Sequence, residues 1–236
     1  MANINLAKNT VELTSQDFDR ATDLLTEAFY TNPSHAYIFR DSNTRLKLLK
    51  WGLKANLKLN LASPKPIGKS FALIEANKSP GKRQIKAMAF WHPPECGSLS
   101  LINKIKSGWF ITPWKLGKKT YRRLLEVTIA IDKIKENVLG DRQAWYLNNM
   151  AVAKELRGTG IGTEVLQNQL ATVVDPSGFP AMLMTQKEAN VRFYRRLGFE
   201  LAEESQIGTG EDAFTNWCLI RHSWERTRSD KRRKDV

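Results

Sequence analysis

The chain has 236 residues, 42% of them hydrophobic and 26% charged, and its 37 basic and 24 acidic residues leave a net charge of +13. That balance fits a globular domain with a full core; no run approaches the roughly 20 apolar residues of a membrane span, and residues 1–10 lack a signal-peptide pattern. Cys96 and Cys218 stand far apart, with no C-x-x-C pair and no histidine cluster, which points to a reducing, cytoplasmic setting and against a metal site.

The positive charge is uneven. Residues 102–123 hold Lys104, Lys106, Lys115, Lys118, Lys119, Arg122 and Arg123 with no acid, and the tail from Arg221 is again mostly basic. Two readings follow: an acidic partner such as nucleic acid, or a solvated helix face and a disordered basic end at 223–236. The second is preferred.

In chain order, Thr10 to Leu13 reads as a short strand. Thr14-Ser15-Gln16-Asp17 resembles a capping box before a helix over Asp17 to Tyr30, which Asn32-Pro33-Ser34-His35 breaks. A second helix is expected at about Thr44 to Leu61. After the break at Ser63-Pro64-Lys65-Pro66, Lys69 to Ala76 and Gln84 to Trp91 read as a hairpin around a polar turn at 77–83. The second of these strands runs into His92-Pro93-Pro94. Residues 95–143 form a long segment with Trp109, Phe110 and Trp114, then a helix at about Lys118 to Val138.

Trp145 to Val152 is aromatic and apolar and short enough for a strand. Ile161, Val165, Leu166, Leu170, Val173 and Val174 then fall on one helical stripe. Between them Arg157-Gly158-Thr159-Gly160-Ile161-Gly162 sets three glycines on alternate positions where strand turns to helix. Glycine there weakens a helix, but it lets backbone N–H groups from Gly158 to Thr163 converge on an anion, aided by the helix dipole. The spacing is not the G-x-G-x-x-G of a dinucleotide site, nor a P-loop. A turn at 175–180, an apolar run over Ala181 to Met184 and the helix-like stretch with Asn190, Tyr194, Gly198 and Phe199 follow. Asn190 and Tyr194, four apart, share a helix face, and Gly198 is placed to end that helix. Phe199 to Ser205 and Ala213 to Arg221 read as the last two strands.

R-x-x-G-x-G after a strand ending in Ala151-Val152, followed by N-x-x-x-Y-x-x-x-G-F, resembles the signature of the GNAT superfamily of N-acetyltransferases. The resemblance is motif-grade over Trp145 to Phe199 and follows the element order over Thr10 to His222. It implies an α/β (α+β) fold: a mixed, mostly antiparallel twisted sheet flanked by helices and splayed at the cofactor strand. It implies one domain over 1–222, in which the 95–143 segment is an insertion that walls the acceptor pocket, and an acceptor loop around Asn32 to Phe39.

By the same resemblance the activity is transfer of an acetyl group from acetyl-coenzyme A to a primary amine. The backbone of Met150, Ala151 and Val152 would hold the pantetheine arm. Arg157, Gly158, Thr159, Gly160, Ile161, Gly162 and Thr163 would hold the pyrophosphate, and Asn190 would hydrogen-bond the arm. Tyr194 would be the general acid, since a phenol of pKa about 10 is protonated at neutral pH. The base stays open: Asn148 and Asn149 cannot take a proton, and His92 is the best placed of His35, His92 and His222. A water relay or an already neutral amine serves equally. Met184-Thr185-Gln186 lacks the acid often found there in the branch of GNAT proteins that have a long insertion before the cofactor strand. The competing reading is a binding protein on the same scaffold, engaging nucleic acid through the basic segments; a monomer or homodimer suits either.

Overall fold

The strand Trp145–Val152 lies at the centre of a sheet, with the order β1-β2-β3-β4-β5-β7-β6. The computed structural model describes residues 10–61, 68–74, 84–94 and 111–222. The strands are β1 (Thr10–Glu12), β2 (Lys69–Ile74), β3 (Ile85–His92), β4 (Trp145–Val152), β5 (Ala181–Thr185), β6 (Glu200–Ile207) and β7 (Phe214–Arg221). The helices are α1 (Phe18–Phe29), α2 (Pro33–Ile38), α3 (Ser42–Leu61), α4 (Thr112–Leu139), α5 (Ile161–Gln169) and α6 (Glu188–Arg195). Every neighbouring strand pair is antiparallel except β4 with β5. The mixed, mostly antiparallel sheet expected from the sequence is therefore present.

Side chains alternate across this sheet, as the two-residue strand period demands. Met88, Phe90, Met182 and Cys218 face one way, into a core with Leu25 of α1 and Leu49 and Leu57 of α3. Ala89, Trp91, Leu183 and Leu219 face the other way, against Leu166 and Leu170 around α5 and Phe199 after α6. Helices thus cover both faces of the central strands.

Local chemistry explains most helix boundaries. The Asp17 carboxylate accepts hydrogen bonds from the Thr14 backbone N–H at 3.0 Å and the Thr14 hydroxyl at 2.9 Å, which fixes the entry to α1. Residues 32–35, read from sequence as a simple break, instead start α2. Asn32 Oδ1 caps it by accepting from the Ser34 N–H at 2.9 Å, and Pro33 occupies the first turn, where its missing N–H costs nothing. α4 begins earlier than expected because Thr112 to Leu116 form a turn joined to the main helix through Gly117, whose φ of 73° is left-handed. After α5 the chain relaxes into a wider π-type turn over Leu170–Val174.

The strands around β4 part where the signature resemblance places the splay. Phe90 pairs with Asn149 but Trp91 pairs with Leu147, so Asn148 is an extra, bulged residue in β4. On the other edge, β4 pairs with β5 only at Trp145–Ala181, Tyr146–Met182 and Leu147–Leu183. Beyond Leu147 the two strands separate.

The turn at 77–83, the break at 63–66, residues 95–110 with Cys96, Trp109 and Phe110, and the tail 223–236 lie outside the described residues. Among the described residues no helix is long and apolar enough to cross a membrane, and no group of three His, Cys, Asp or Glu side chains could hold a metal ion.

Candidate active site

A cavity of about 500 Å³ opens in the gap between β4 and β5. Met150, Ala151 and Val152 form one side, the start of α5 forms the floor, and Asn190 and Tyr194 of α6 form the other side. Of the twelve residues named from the sequence, ten line this cavity: Tyr194, Met150, Ala151, Val152, Arg157, Gly158, Gly160, Gly162, Thr163 and Asn190. Thr159 and Ile161 do not. Ile161 turns inward onto Leu73 and Ala87, and the Thr159 hydroxyl donates to Leu156 O at 2.7 Å.

The backbone at the floor separates into engaged and open donors. The Arg157 N–H is directed at Lys154 O (3.3 Å), ending the short 3-10 helix Lys154–Leu156, and the Thr159 N–H at Leu156 O (3.4 Å) in the turn that follows. The amides of Ile161, Gly162 and Thr163 are in the first turn of α5, where a helix has no internal acceptor for them. Gly160, the N-cap, has φ 92°, and no side chain caps this end. Those amides and the helix dipole make an anion site. Space at Gly162 is also tight: a Cβ there would sit 3.2 Å from Val152 Cγ2, which would have to give by a few tenths of an ångström.

On β4, alternation decides which amides face the gap. The Ala153 N–H donates to Lys86 O on the β3 side at 2.8 Å. With a period of two, the N–H groups of Ala151 and Asn149 also point toward β3, and those of Met150 and Val152 point into the gap. The Val152 carbonyl, on the gap side, accepts from Arg157 Nε at 3.0 Å. The Arg157 side chain is thus held against β4 and toward Glu27 at 3.5 Å, rather than reaching over the floor.

The cavity is electropositive. Arg157, Lys187 and Arg196 line it, and none of the described lining residues is acidic. The sequence reading did not single out Lys187 and Arg196, although they bracket the Asn190 and Tyr194 pair it relied on. Lys187 is steadied by donating to Thr31 Oγ1 at 3.2 Å.

Tyr194 is 8% exposed, between Phe193 and Phe199 with ring centroids 5.0 and 5.8 Å away. Burial pushes its phenol well above the usual range, so it stays protonated at neutral pH and has a proton to donate. Asn190 Nδ2 donates to Thr185 Oγ1 at 2.9 Å, fixing the amide so that its oxygen is the end left for another donor.

A second cavity, about 370 Å³, lies on the sheet face covered by α2, α3 and α4, and Phe29 lines both cavities. Asn148, Asn149, Met184 and Gln186 border it on the sheet side, and Ser34, His35, Ile38 and Phe39 border it from the stretch expected to be an acceptor loop. His92 lines neither cavity; it stacks near Phe90 and Tyr146, at 5.0 and 6.2 Å between ring centroids. Burial and then the Lys135 charge push the His92 imidazole down to about 4. His35 does line the second cavity, and burial holds it neutral, down to about 4.

Residues 126–201 match the family model described as an acetyltransferase (GNAT) domain, a match that begins within α4. Three solved structures share the fold. A Corynebacterium glutamicum protein described as histone acetyltransferase HPA2 and related acetyltransferase is 17% identical, with 91% of this chain and 96% of that chain covered and a TM-score of 0.62. An Aedes aegypti arylalkylamine N-acetyltransferase is 11% identical over 90% and 97%, with a TM-score of 0.56. A Drosophila melanogaster polyamine N-acetyltransferase is 12% identical over 90% and 99%, with a TM-score of 0.55. A probable serine/threonine-protein kinase of Dictyostelium discoideum is 26% identical over 215 residues, and this chain spans 21% of that relative's length. The match of residues 126–201 to the GNAT acetyltransferase model, the shared fold and the split at β4 all agree with the resemblance read from the sequence, and they support an acyltransferase.

Proposed function

We propose that this domain moves an acetyl group from acetyl-coenzyme A to a primary amine by direct attack. The observation that carries the reading is the uncapped start of α5 beneath the parted ends of β4 and β5, with the Tyr194 phenol on the opposite wall. Open helix-start amides, with Lys187 and Arg196 nearby and no acid among the described lining residues, suit the phosphates of the cosubstrate, and Gly162 keeps side-chain atoms out of that cradle.

Acetyl-coenzyme A supplies the activated acetyl as a thioester. The Met150 and Val152 amides serve as an added-strand edge for its pantetheine arm and as donors for developing charge on the acetyl oxygen. The amine enters from the second cavity, beside Asn149. As its nitrogen bonds to the acetyl carbon the carbon–sulfur bond breaks, Tyr194 gives its proton to the departing sulfur, and the nitrogen sheds one to water or a nearby neutral group.

Thiol release with Tyr194→Phe tests this assignment. We expect kcat to fall on the order of 10²-fold, while acetyl-coenzyme A binding by calorimetry stays at the wild-type level. Unchanged turnover would remove Tyr194 as the acid. No heat of binding at millimolar coenzyme A would remove the reading altogether.

A further inference from the structure

The second cavity is sharply divided in character. Its β4 end carries the amides Asn148, Asn149 and Gln186, while the walls from α3 and α4 are mostly apolar, with Leu49, Leu53, Val127 and Ile131 outnumbering polar groups such as Asn56 and Thr128. The polar groups at the β4 end are largely occupied. Asn148 Nδ2 approaches Asn56 Oδ1 at 3.4 Å, and Gln186 accepts from Asn32 Nδ2 at 3.0 Å while donating to Asn216 Oδ1 at 2.7 Å.

Charge in the cavity is nearly self-cancelling. Among the described lining residues only Asp132 and Lys135 are charged at neutral pH, and they lie 3.8 Å apart on one face of α4. Lys135 Nζ also stands 4.0 Å above the Tyr146 ring, a cation–π contact that holds it at the wall. His35 adds no charge there.

We propose that this cavity is the acceptor subsite and takes a small primary amine with an uncharged, apolar body, its nitrogen at Asn149 and its body against α3 and α4. The assignment rests on the acyl-transfer reading above and names its substrate class. A polyamine is disfavoured because a second ammonium would lose its water against largely apolar walls, and Asp132, the one carboxylate among the described lining residues, already faces Lys135. A peptide is disfavoured because its backbone N–H and C=O groups would meet largely apolar walls, where polar side chains such as His35, Asn56 and Thr128 are too few to pair them all. The volume, at the low end of the roughly 300–1,000 Å³ range of ligand pockets, suits a small molecule.

Gly52 supplies the test. It lines the cavity from within α3, and a Cβ built there meets only Phe39 Cζ at 3.9 Å. Gly52→Leu therefore fills the subsite while raising helix propensity. Thiol release on the full chain is compared for 2-phenylethylamine, spermidine and tetra-alanine. We expect kcat/KM for 2-phenylethylamine to exceed the other two by at least about tenfold. We expect Gly52→Leu to lower it by at least about tenfold, with no loss of Tm and no change in the Kd for acetyl-coenzyme A. Preference for spermidine or tetra-alanine, or indifference to Gly52→Leu, overturns the substrate class and leaves acyl transfer standing. If no amine is acetylated, calorimetry with 2-phenylethylamine alone decides: binding weakened by Gly52→Leu supports the subsite, and absent or unaffected binding overturns it.

Discussion

Trp91 Nε1 donates a 2.7 Å hydrogen bond to Gln169 Oε1, with both residues 1% exposed, tying β3 to the last residue of α5. Without that acceptor the indole N–H is stranded in the core. Gln169→Met should cost about 1–3 kcal/mol of stability. The loss should fall in the lower half of that range, because Gln169 Nε2 has no partner among the described residues and its removal offsets part of the cost. Urea unfolding should show a lower midpoint at unchanged slope.

Gly162 touches both the helix start and β4. Gly162→Val would press on Val152 Cγ2, 3.2 Å from the first added carbon, and on Met150 Cε at 3.7 Å. Coenzyme A affinity should drop at least about tenfold, or about 1.4 kcal/mol, as measured by calorimetry. An unchanged Kd would mean the first turn of α5 does not hold the phosphates.

His35 and His92 make folding sensitive to acid. Both imidazoles are pushed down to about 4 from 6.5, chiefly by burial. Between those values the unfolded chain binds protons that the folded chain refuses, so stability rises with pH across that window. Above pH 6.5 there is no penalty; at pH 4 it is on the order of 2–3 kcal/mol for each ring. Thermal unfolding of His35→Gln/His92→Gln should lose less Tm than wild type between pH 6.5 and 4.5. An equal loss would show that neither ring is held neutral.

Cys218 is fully buried in β7, and its thiol is pushed up to about 12 by burial and by Glu203. A thiol so rarely ionised is a poor nucleophile. Peptide-resolved iodoacetamide labelling at pH 8 should modify Cys218 only after denaturant is added. Rapid labelling of the native protein would contradict the packing of β7.

The parts of this fold that could be read in the sequence are those where one local rule decides the outcome. Trp145–Val152 is a strand in both readings because its apolar run is bounded by polar turns. The floor of the cleft was visible because glycines at alternating positions have few other uses. Pro33 misled because a proline that breaks one helix can equally begin the next, and only the Asn32 cap tells the cases apart. The Arg157 and Thr159 amides are directed at Lys154 O and Leu156 O in local turns that no periodicity announces. The pairing of Lys135 with Asp132 and the Tyr146 ring, and the exclusion of His92 from both cavities, depend on where α4 packs, which is a tertiary matter.

The three-pair contact between β4 and β5 leaves a seam through the middle of the sheet. On its far side the Met150 and Val152 amides lack a strand to shield them, so their deuterium uptake should be fast compared with Ala151. A ligand lying in that seam would bridge the two halves of the molecule, slow the uptake at those two positions and delay melting of the whole. Substrate would then act as a missing structural member, and the free protein would be the less cohesive state by design of its own backbone.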